Sequence, residues 1–572
     1  MQWEYNSLSQ SLIEEKAQEL NKDKLLTALL LNRGFSNEKS ANEFINPKLK
    51  GFRDPFKFEK MDKIVNIILE KRQNNKKVFI YGDYDVDGIT AAVFLVKAFT
   101  EIGMTVDYYI PNRMEEGYGL DKKAIDFMYK HNCSLVITVD TGVNSIEDVE
   151  YAESLGITVI VTDHHKSIKD KEDEKLLLLN PKLSDTYEFK YLSGAGVALK
   201  VAQGVYIRLE KDLNKLYQYL DIVMIGTVAD VVPMVDENRI IIKEGLKVLK
   251  NTKIKGLMYL LKYLKFQNKD INTTDVSYFI SPLINSLGRI GISKMGADFF
   301  LKTDDFEIYN IIEEMKKSNK KRRELEKNIY DEANAKIINA KDDNLKCAFL
   351  YSEKWHPGVI GVVSSRLSIK YNMPIALIAL RNNIGKASCR SIQGISVFNI
   401  FEKMKDKLVR FGGHDLASGF IVKKENIKQI EKIFRSNIHS IEVDKTPKTL
   451  KIDLEYPIED IDDKIFKAMD CLAPFGLDNP HPLFLDKNIS FEYIKKFGVN
   501  ERHFNGIIKK NGKSYHMVAF DLGHMINEDE YKLQNFDIVY YPEKIIYKGE
   551  EIIQIRIKDL KIKDDFYEIF TK

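Results

Sequence analysis

Cysteine is scarce in this chain. Cys133, Cys347, Cys389 and Cys471 are the only four in 572 residues, and they stand far apart without metal-ligand spacing. That argues against a disulfide framework and a cysteine-held zinc, and predicts reduced thiols in a cytoplasmic setting. Long apolar runs are missing as well. Leu25–Leu31 comes closest, preceded by Lys22 and Lys24; it falls well short of the roughly 20 residues that span a bilayer, so no membrane association is expected. The opening MQWEYNSLSQ has neither a basic flank nor an apolar core and predicts no secretory signal. Nor is there a large excess of either charge: 87 Lys and Arg face 84 Asp and Glu, a net +3. A nucleic-acid partner must then be met by a local basic groove, not by a globally basic protein.

What is present is globular. A hydrophobic content of 44% with 30% charged residues describes packed cores under a solvated surface, and a chain this long needs about three or four domains. One stretch organises the rest, Val78–Ala92, reading VFIYGDYDVDGITAA. Val78–Tyr81 predicts a buried strand that Gly82 breaks. Asp83, Asp85 and Asp87 follow at alternate positions, and Gly88 opens an apolar helix running through Phe99. In an open α/β sheet this puts the acidic loop at the carboxyl end of a strand, where ligands bind. Three carboxylates on one turn repel one another, and hard divalent cations are the usual way to hold such charge.

Around that stretch the pattern is βαβ. Further strands are predicted at Thr105–Ile110, Leu135–Asp140, Thr158–Thr162 and Leu176–Asn180, in a mainly parallel sheet covered on both faces. Asp140 ends the third strand in ITVDTG. Asp163, His164 and His165 follow the fourth in VIVTDHHKS, and Asp230 lies in or at the end of a helix in IVMIGTVADVVP. These clusters share one rim and supply enough ligands for two cations, with one carboxylate free to bridge. Between the second and third strands, IPNRMEEGYGL sets Asn112, Arg113, Glu116 and Tyr118 in a glycine-bearing loop on that rim. An arginine there suits a phosphate, and Tyr118 a stacked base.

The flanks differ in character. Residues before about Phe52 read as helical and are expected to pack on the domain that follows. A long mixed-charge helix over Phe306–Ala340, with Lys320–Arg323 as its basic face, reads as a connector between two lobes. Just upstream, INSLGRIG reads as a small-residue turn carrying Arg289. A second α/β lobe starts near Leu345. In it Ser388 and Arg390 (GKASCRSIQG) and His414 (RFGGHD) stand beside glycines read as turns, where backbone N–H groups and guanidinium forks bind anions. Lys445–Lys451 reads as a linker. The last 120 or so residues alternate apolar and polar in short strands, which suggests a small barrel. Its aromatics, Phe491, Tyr493, Phe504, Tyr515, Phe520, Tyr540 and Tyr541, lie among Lys and Arg; most are expected to fill the interior and a minority to stack on bases.

GDYDVDG, VDTG, TDHH and GTVADVVP resemble, in that order, the signature motifs of the DHH phosphoesterase superfamily. GRIG, WHPGVIGVVSSRL and FGGH resemble its DHH-associated domain. The PNR loop, LLLNRGF, and a carboxyl-terminal barrel preceded by APFGLDNPHPLF are similar to the RecJ family of single-strand-specific exonucleases. The resemblance implies an α/β protein with two lobes, a DHH domain and a DHH-associated domain, joined by a long helix and followed by an OB-like β-barrel. The expected divisions are a helical extension over 1–55, a catalytic domain over 56–235, a helical connector over 236–340, a substrate-binding domain over 341–440 and a nucleic-acid-binding domain over 450–572.

The resemblance further implies two Mn²⁺ or Mg²⁺ ions held by Asp83, Asp85, Asp87, Asp140, His164 and Asp230, with Asp140 as the bridge and His165 touching the scissile phosphate. Tyr81 stands where several superfamily members have a ligating histidine, so the sharing of Asp83, Asp85 and Asp87 between the ions stays open. Asn112, Arg113, Tyr118, Arg289, Ser388, Arg390 and His414 are implied to bind the substrate. The implied reaction is 5′→3′ hydrolysis of single-stranded DNA to 5′-mononucleotides by a monomer acting in repair and recombination, with a helicase and a single-strand-binding protein as suppliers of substrate. The same core would also serve a pyrophosphatase, a phosphodiesterase of dinucleotides, or a scaffold that has lost its metals.

Overall fold

A computed structural model of the chain describes residues 2–5, 8–113, 116, 119–167, 176–340, 345–441, 449–498, 501–527, 530–547 and 549–563. The chain divides into two compact units. One comprises Leu49–Val232 and Asp236–Asp444, the other Met1–Lys48, Pro233–Val235 and Lys445–Lys572. No helix among the described residues is long and apolar enough to cross a membrane.

The amino terminus is not helical throughout: it begins with a strand, β1 (Gln2–Tyr5), before the helices Gln10–Leu20, Lys24–Leu31 and Glu38–Ile45. Asp23 and Asn37 cap the second and third of these, each side chain accepting the backbone N–H three residues on at 2.9 Å.

The first sheet of the larger unit holds β2 (Lys77–Gly82), β3 (Val106–Tyr109), β4 (Cys133–Val139), β5 (Thr158–Thr162) and β6 (Leu177–Leu179). They lie in the order β3-β2-β4-β5-β6, all parallel. The inner strands β2, β4 and β5 are largely apolar runs because both their faces are covered, while the edge strand β3 (VDYY) is half-buried. Helices Val86–Glu101 and Gly194–Arg208 lie on one face, and helices Lys122–Lys130 and Ile146–Ser154 pack on Phe79, Val136, Val159 and Val161 of the other. Register puts Ile80, Ile137 and Ile160 in one row, so that Gly82, Val139 and Thr162 end level. The residues that follow them, Asp83, Asp140 and Asp163, therefore emerge together on one rim.

Helices fill 236–340 and end in a 35-residue helix, Asp305–Asn339, about 50 Å long. INSLGRIG departs from its reading as a turn. Asn285, Gly288 and Arg289 lie within the helix Ser281–Ile290, and the left-handed cap comes later, at Gly291 with φ +92°. Gly288 is small for another reason: a Cβ there would stand 2.5 Å from the Tyr84 carbonyl oxygen.

The second sheet holds β7 (Ala348–Ser352), β8 (Ile375–Arg381), β9 (Ile384–Arg390), β10 (Arg410–His414) and β11 (Ala417–Lys423). Its order is β10-β11-β9-β8-β7, with β7 and β8 parallel and the other pairs antiparallel. Of the glycine turns expected around Ser388, Arg390 and His414, Gly394 lies in a turn with φ +88°, whereas Gly385, Gly412 and Gly413 are strand residues. Gly412 faces Gly419 and Gly419 faces Ser388 across β10, β11 and β9, so these glycines make a bare patch of sheet.

The smaller unit is built on β12 (Thr449–Ile452), β13 (Leu454–Glu455), β14 (Phe484–Ile489), β15 (Phe491–Phe497), β16 (His503–Lys510), β17 (Lys513–Ala519), β18 (Phe536–Tyr547) and β19 (Glu550–Ile562). Seven of these form one sheet in the order β13-β14-β18-β19-β17-β16-β15, while β12 pairs in parallel with β1. Two expectations are corrected here. Of the linker read at Lys445–Lys451, residues 445–448 lie outside the described residues and Thr449–Lys451 belong to strand β12. The amino-terminal helices do not find their core in the domain that follows them in sequence. Leu20, Leu26, Leu29, Leu30, Phe44 and Ile45 share one core with Leu472, Phe484, Phe504, Ile508, Tyr540 and Ile555. An amphipathic helix states that it needs an apolar partner, not which one. Of the aromatics named above, Phe491, Phe504, Tyr540 and Tyr541 are buried while Tyr493 and Phe520 are exposed, with Arg556 lying over the Phe520 ring at 4.8 Å.

Candidate metal centre

Seven of the side chains singled out in the sequence meet on the rim of the first sheet. Asp83 and Asp140 leave the ends of β2 and β4. Asp85 caps the helix Val86–Glu101, its Oδ1 accepting the Gly88 N–H at 3.1 Å, and Asp87 sits in that helix's first turn. His164 and His165 follow β5, and Asp230 caps the helix Leu220–Ala229. His164 Nε2 lies 3.0 Å from Asp140 Oδ1, 3.5 Å from Asp230 Oδ2 and 3.9 Å from Asp87 Oδ2. Three groups have potential ligand atoms within 4.8 Å of one another: Asp83, Asp85 and Asp140; Asp87, His164 and Asp230; Asp140, His164 and His165. Asp140 is common to two of them.

The close approach requires special backbone. Asp140 itself is left-handed, with φ +61°, a conformation Asp tolerates better than most residues. Gly194 begins the helix Gly194–Arg208 directly against it, and a Cβ at Gly194 would overlap Asp140 Cβ. The N–H groups of Gly194 and Ala195 donate to Asp87 at 2.6 and 3.0 Å. A helix amino terminus thus supports one acidic side chain of the cage from behind.

Electrostatics mark the cage as incomplete on its own. Burial first, and then the neighbouring carboxylates, push Asp83, Asp140 and Asp230 well above the usual carboxylate range and Asp87 up to about 7. Burial holds His164 well below its ordinary value. Asp83 Oδ1, Asp140 Oδ1 and His164 Nε2 are buried without a hydrogen-bond partner among the described residues. Oxygen and imidazole donors, buried, unsatisfied and mutually repelling, fit hard or borderline divalent cations.

The sequence groups Asp163 with His164 and His165 in one of the clusters expected to supply ligands, without a role of its own. It does not join the cage but organises it. Its Oδ2 accepts the Val143 N–H at 2.9 Å, and its Oδ1 accepts the N–H groups of His164 and His165 at 2.8 and 3.0 Å and pairs with His165 Nδ1 at 2.8 Å. Burial alone would lower His165, but the Asp163 carboxylate outweighs it and raises the imidazole to about 9. The signal was present: Asp163 occupies the same position after its strand as Asp83 and Asp140 after theirs. His414, from β10 of the second sheet, stacks on His165 with ring centres 5.7 Å apart, and burial beside that cation lowers it to about 4.

The other expected substrate residues form a cationic group. Arg289 is half-buried and donates to the Gly358 carbonyl at 3.2 Å. Burial, then the guanidinia of Arg113 and Arg322, pull it down to about 9. Arg390 donates to Ser388 Oγ at 3.1 Å, and both line Gly361, in the first turn of the helix Ile360–Tyr371. Arg390 and Lys386, on the same face of β9, are each lowered first by burial and further by Arg113. Arg113 lies over the Tyr84 ring at 4.7 Å. The Asn112 N–H donates to Glu116 at 2.9 Å. Tyr118 lies outside the described residues. Cations that depress one another this way await an anion.

Residues 77–227 match the DHH family, N-terminal domain, and residues 343–440 the DHHA1 domain. Fold and site together define a DHH-family protein, a sheet-rim acidic cage faced by a second α/β lobe. Residues 452–559 match the RecJ OB domain. Over 533 residues the chain is 32% identical to the single-stranded-DNA-specific exonuclease RecJ of Bacillus subtilis, covering 92% of this chain and 66% of that protein. The Haemophilus influenzae protein of that name is 26% identical over 567 residues, 95% of this chain and 96% of its own length. The structure of Thermus thermophilus RecJ in complex with Mn²⁺ superposes with a TM-score of 0.83, at 24% identity, over 98% of this chain and 79% of that one. The chain belongs to the RecJ family.

Proposed function

We propose that this chain is a metal-dependent exonuclease that degrades single-stranded DNA from the 5′ end to 5′-mononucleotides, acting in repair and recombination. The observation that carries the reading is the convergence on one rim of five carboxylates and an imidazole, among which buried atoms of Asp83, Asp140 and His164 lack a hydrogen-bond partner among the described residues. The Bacillus and Haemophilus relatives are named for action on single-stranded DNA, and the Thermus relative holds Mn²⁺; for this chain they support the same substrate and two Mn²⁺ or Mg²⁺ ions.

In this reading Asp83, Asp85, Asp87, Asp140, His164 and Asp230 hold the ions, with Asp140 between them. Bound there, the ions supply the Lewis acidity that activates water and stabilises charge on the scissile phosphate. Asp163 holds the His165 ring toward that phosphate, and His414 stacks on the ring. Arg289, Ser388 and Arg390 take the terminal 5′ phosphate, which sets the cut one nucleotide in. Asn112, Arg113 and Tyr118 guide the strand. With its leaving group a 3′ oxygen, each cycle yields one 5′-mononucleotide and a new 5′ phosphate for the same pocket.

Residues 56–235 then act as the catalytic domain, 236–340 as connector, 341–440 as end-binding domain and 450–572 as the nucleic-acid-binding domain, with exposed Tyr493 and Phe520 available to stack on bases. The protein works as a cytoplasmic monomer, supplied with single strands by a helicase and a single-strand-binding protein.

Product analysis on 5′-labelled strands tests this. Labelled mononucleotide is expected as the first product, only with Mn²⁺ or Mg²⁺ present, from single strands and not from blunt duplex, and Asp87→Ala is expected to abolish it. Metal-independent release, internal fragments, or cleavage confined to dinucleotides would overturn the proposal.

A further inference from the structure

The loop that carries Asp230 is held by a buried charge network that the chemistry above does not use. Val231, immediately after Asp230, has φ +59°, and Asp236 at the far end of the loop has φ +50°. A β-branched residue in the left-handed region is strained, and such a conformation persists only where its surroundings over-determine it. Pro233–Val235, between the two, belong to the other compact unit, while the ends of the loop belong to the cage's own unit.

One end is the cap of the helix Leu220–Ala229. The other is Glu237, fully buried, whose carboxylate accepts from Lys200 Nζ, from Tyr187 Oη and from the Arg53 N–H at 2.9 Å. The Arg53 guanidinium forks onto Asp236 at 2.8 and 2.9 Å. Lys200 is fully buried too; its ammonium donates to the Arg53 carbonyl at 2.9 Å and lies over the Phe52 ring at 4.9 Å. Lys200 stands less than two turns into the helix Gly194–Arg208, whose first N–H groups hold Asp87. A single helix therefore grips Asp87 directly and the Asp230 loop through Glu237. Both carboxylates face His164 Nε2. A buried ion pair adds little net stability compared with apolar side chains of the same volume, and its best-attested role is to specify position.

We propose that Lys200 and Glu237 are positioning residues for Asp230, setting how its carboxylate is presented to the cage and hence how tightly divalent metal is held. This rests on the reading of Asp230 as a metal ligand. The test uses the full chain with Lys200→Met and Glu237→Leu combined, so that no charge is left buried alone. Calorimetric titration with Mn²⁺ is expected to show affinity weakened about 10–100-fold, with the melting temperature in EDTA within about 4 °C of the unaltered chain. kcat at low Mn²⁺ should fall and recover as Mn²⁺ is raised, KM for the strand staying unchanged. Asp230→Asn should weaken Mn²⁺ binding as well, and adding it to the pair should cost less than the two effects summed.

Normal Mn²⁺ affinity in Asp230→Asn overturns the metal reading itself, and the positioning with it. Weakened affinity in Asp230→Asn beside normal affinity in the double variant overturns the positioning alone. Should the double variant fail to fold, Glu237→Asp shortens the link by one methylene and keeps its charge. Weakened Mn²⁺ binding in a folded Glu237→Asp chain supports the proposal, and unchanged binding overturns it.

Discussion

Asp163 and Gly194 show how much of this site is set by residues that touch neither metal nor substrate. Asp163 holds the His165 ring and the backbone of both histidines, with Val143 N–H as its fourth contact, and partners of this kind are worth about 10–100-fold in metal affinity or activity. Asp163→Asn is therefore expected to lower kcat by that factor while the chain stays folded, as steady-state assay beside circular dichroism will show. Gly194→Ala drives a methyl group into Asp140. It is expected to cost about 1–3 kcal/mol of stability by overpacking and to weaken Mn²⁺ binding, read by denaturant titration and calorimetry. At this scale the acidic and imidazole side chains were legible in the sequence, because their chemistry is a property of the residue type. The N–H groups of Gly194 and Ala195 were not, since every residue but proline carries one and only position makes these two matter.

The strands of the first sheet were legible within a residue or two at most ends, because a strand buried on both faces must be an apolar run. RFGGH and INSLGRIG were misread because glycine serves other needs there. Gly413 takes φ +131° within β10 and lies against Ser418 of the adjoining strand, while Gly288 admits the carbonyl of Tyr84, a neighbour remote in sequence. In the smaller unit, His481 in the segment before β14 illustrates pairing that sequence does not show: its ring lies between Phe475 and Tyr541, with centres 4.1 and 4.4 Å away. Burial first, then Lys558, Arg556 and Arg33, lower it to about 4.

An unfolded histidine protonates near 6.5, so between these values the unfolded chain takes up a proton that the folded one refuses. Stability is then full above about pH 6.5 and declines as pH falls toward 4, by about 2–3 kcal/mol from this group. Denaturant titrations at pH 7 and pH 4.5 should show that slope, and His481→Gln should flatten it.

At the scale of the whole molecule, the two ends of the chain build one core. Truncation after Asp444 would remove the partners of Leu20, Leu26, Leu29, Leu30, Phe44 and Ile45. Each such side chain contributes about 2–5 kcal/mol when buried, so the loss together exceeds what a domain's stability of about 5–15 kcal/mol can absorb. Hydrogen exchange should find Lys24–Leu31 protected in the full chain and unprotected in the truncated one. Deleting residues 1–48 should in turn expose Asp463–Leu472. Retained protection in either case would contradict a shared core.

The residues able to hold metal, the alternation that makes a parallel sheet, and the acidic loops at strand ends were determined by the sequence alone, because local apolar pattern and side-chain chemistry are local properties. Tertiary structure decided which strand ends came level, that His414 reaches His165 from another sheet, that residues 1–48 complete a core begun more than 400 positions later, and that Lys200 meets Glu237. Each of these depends on register or on packing between segments remote in the chain, which no local pattern encodes.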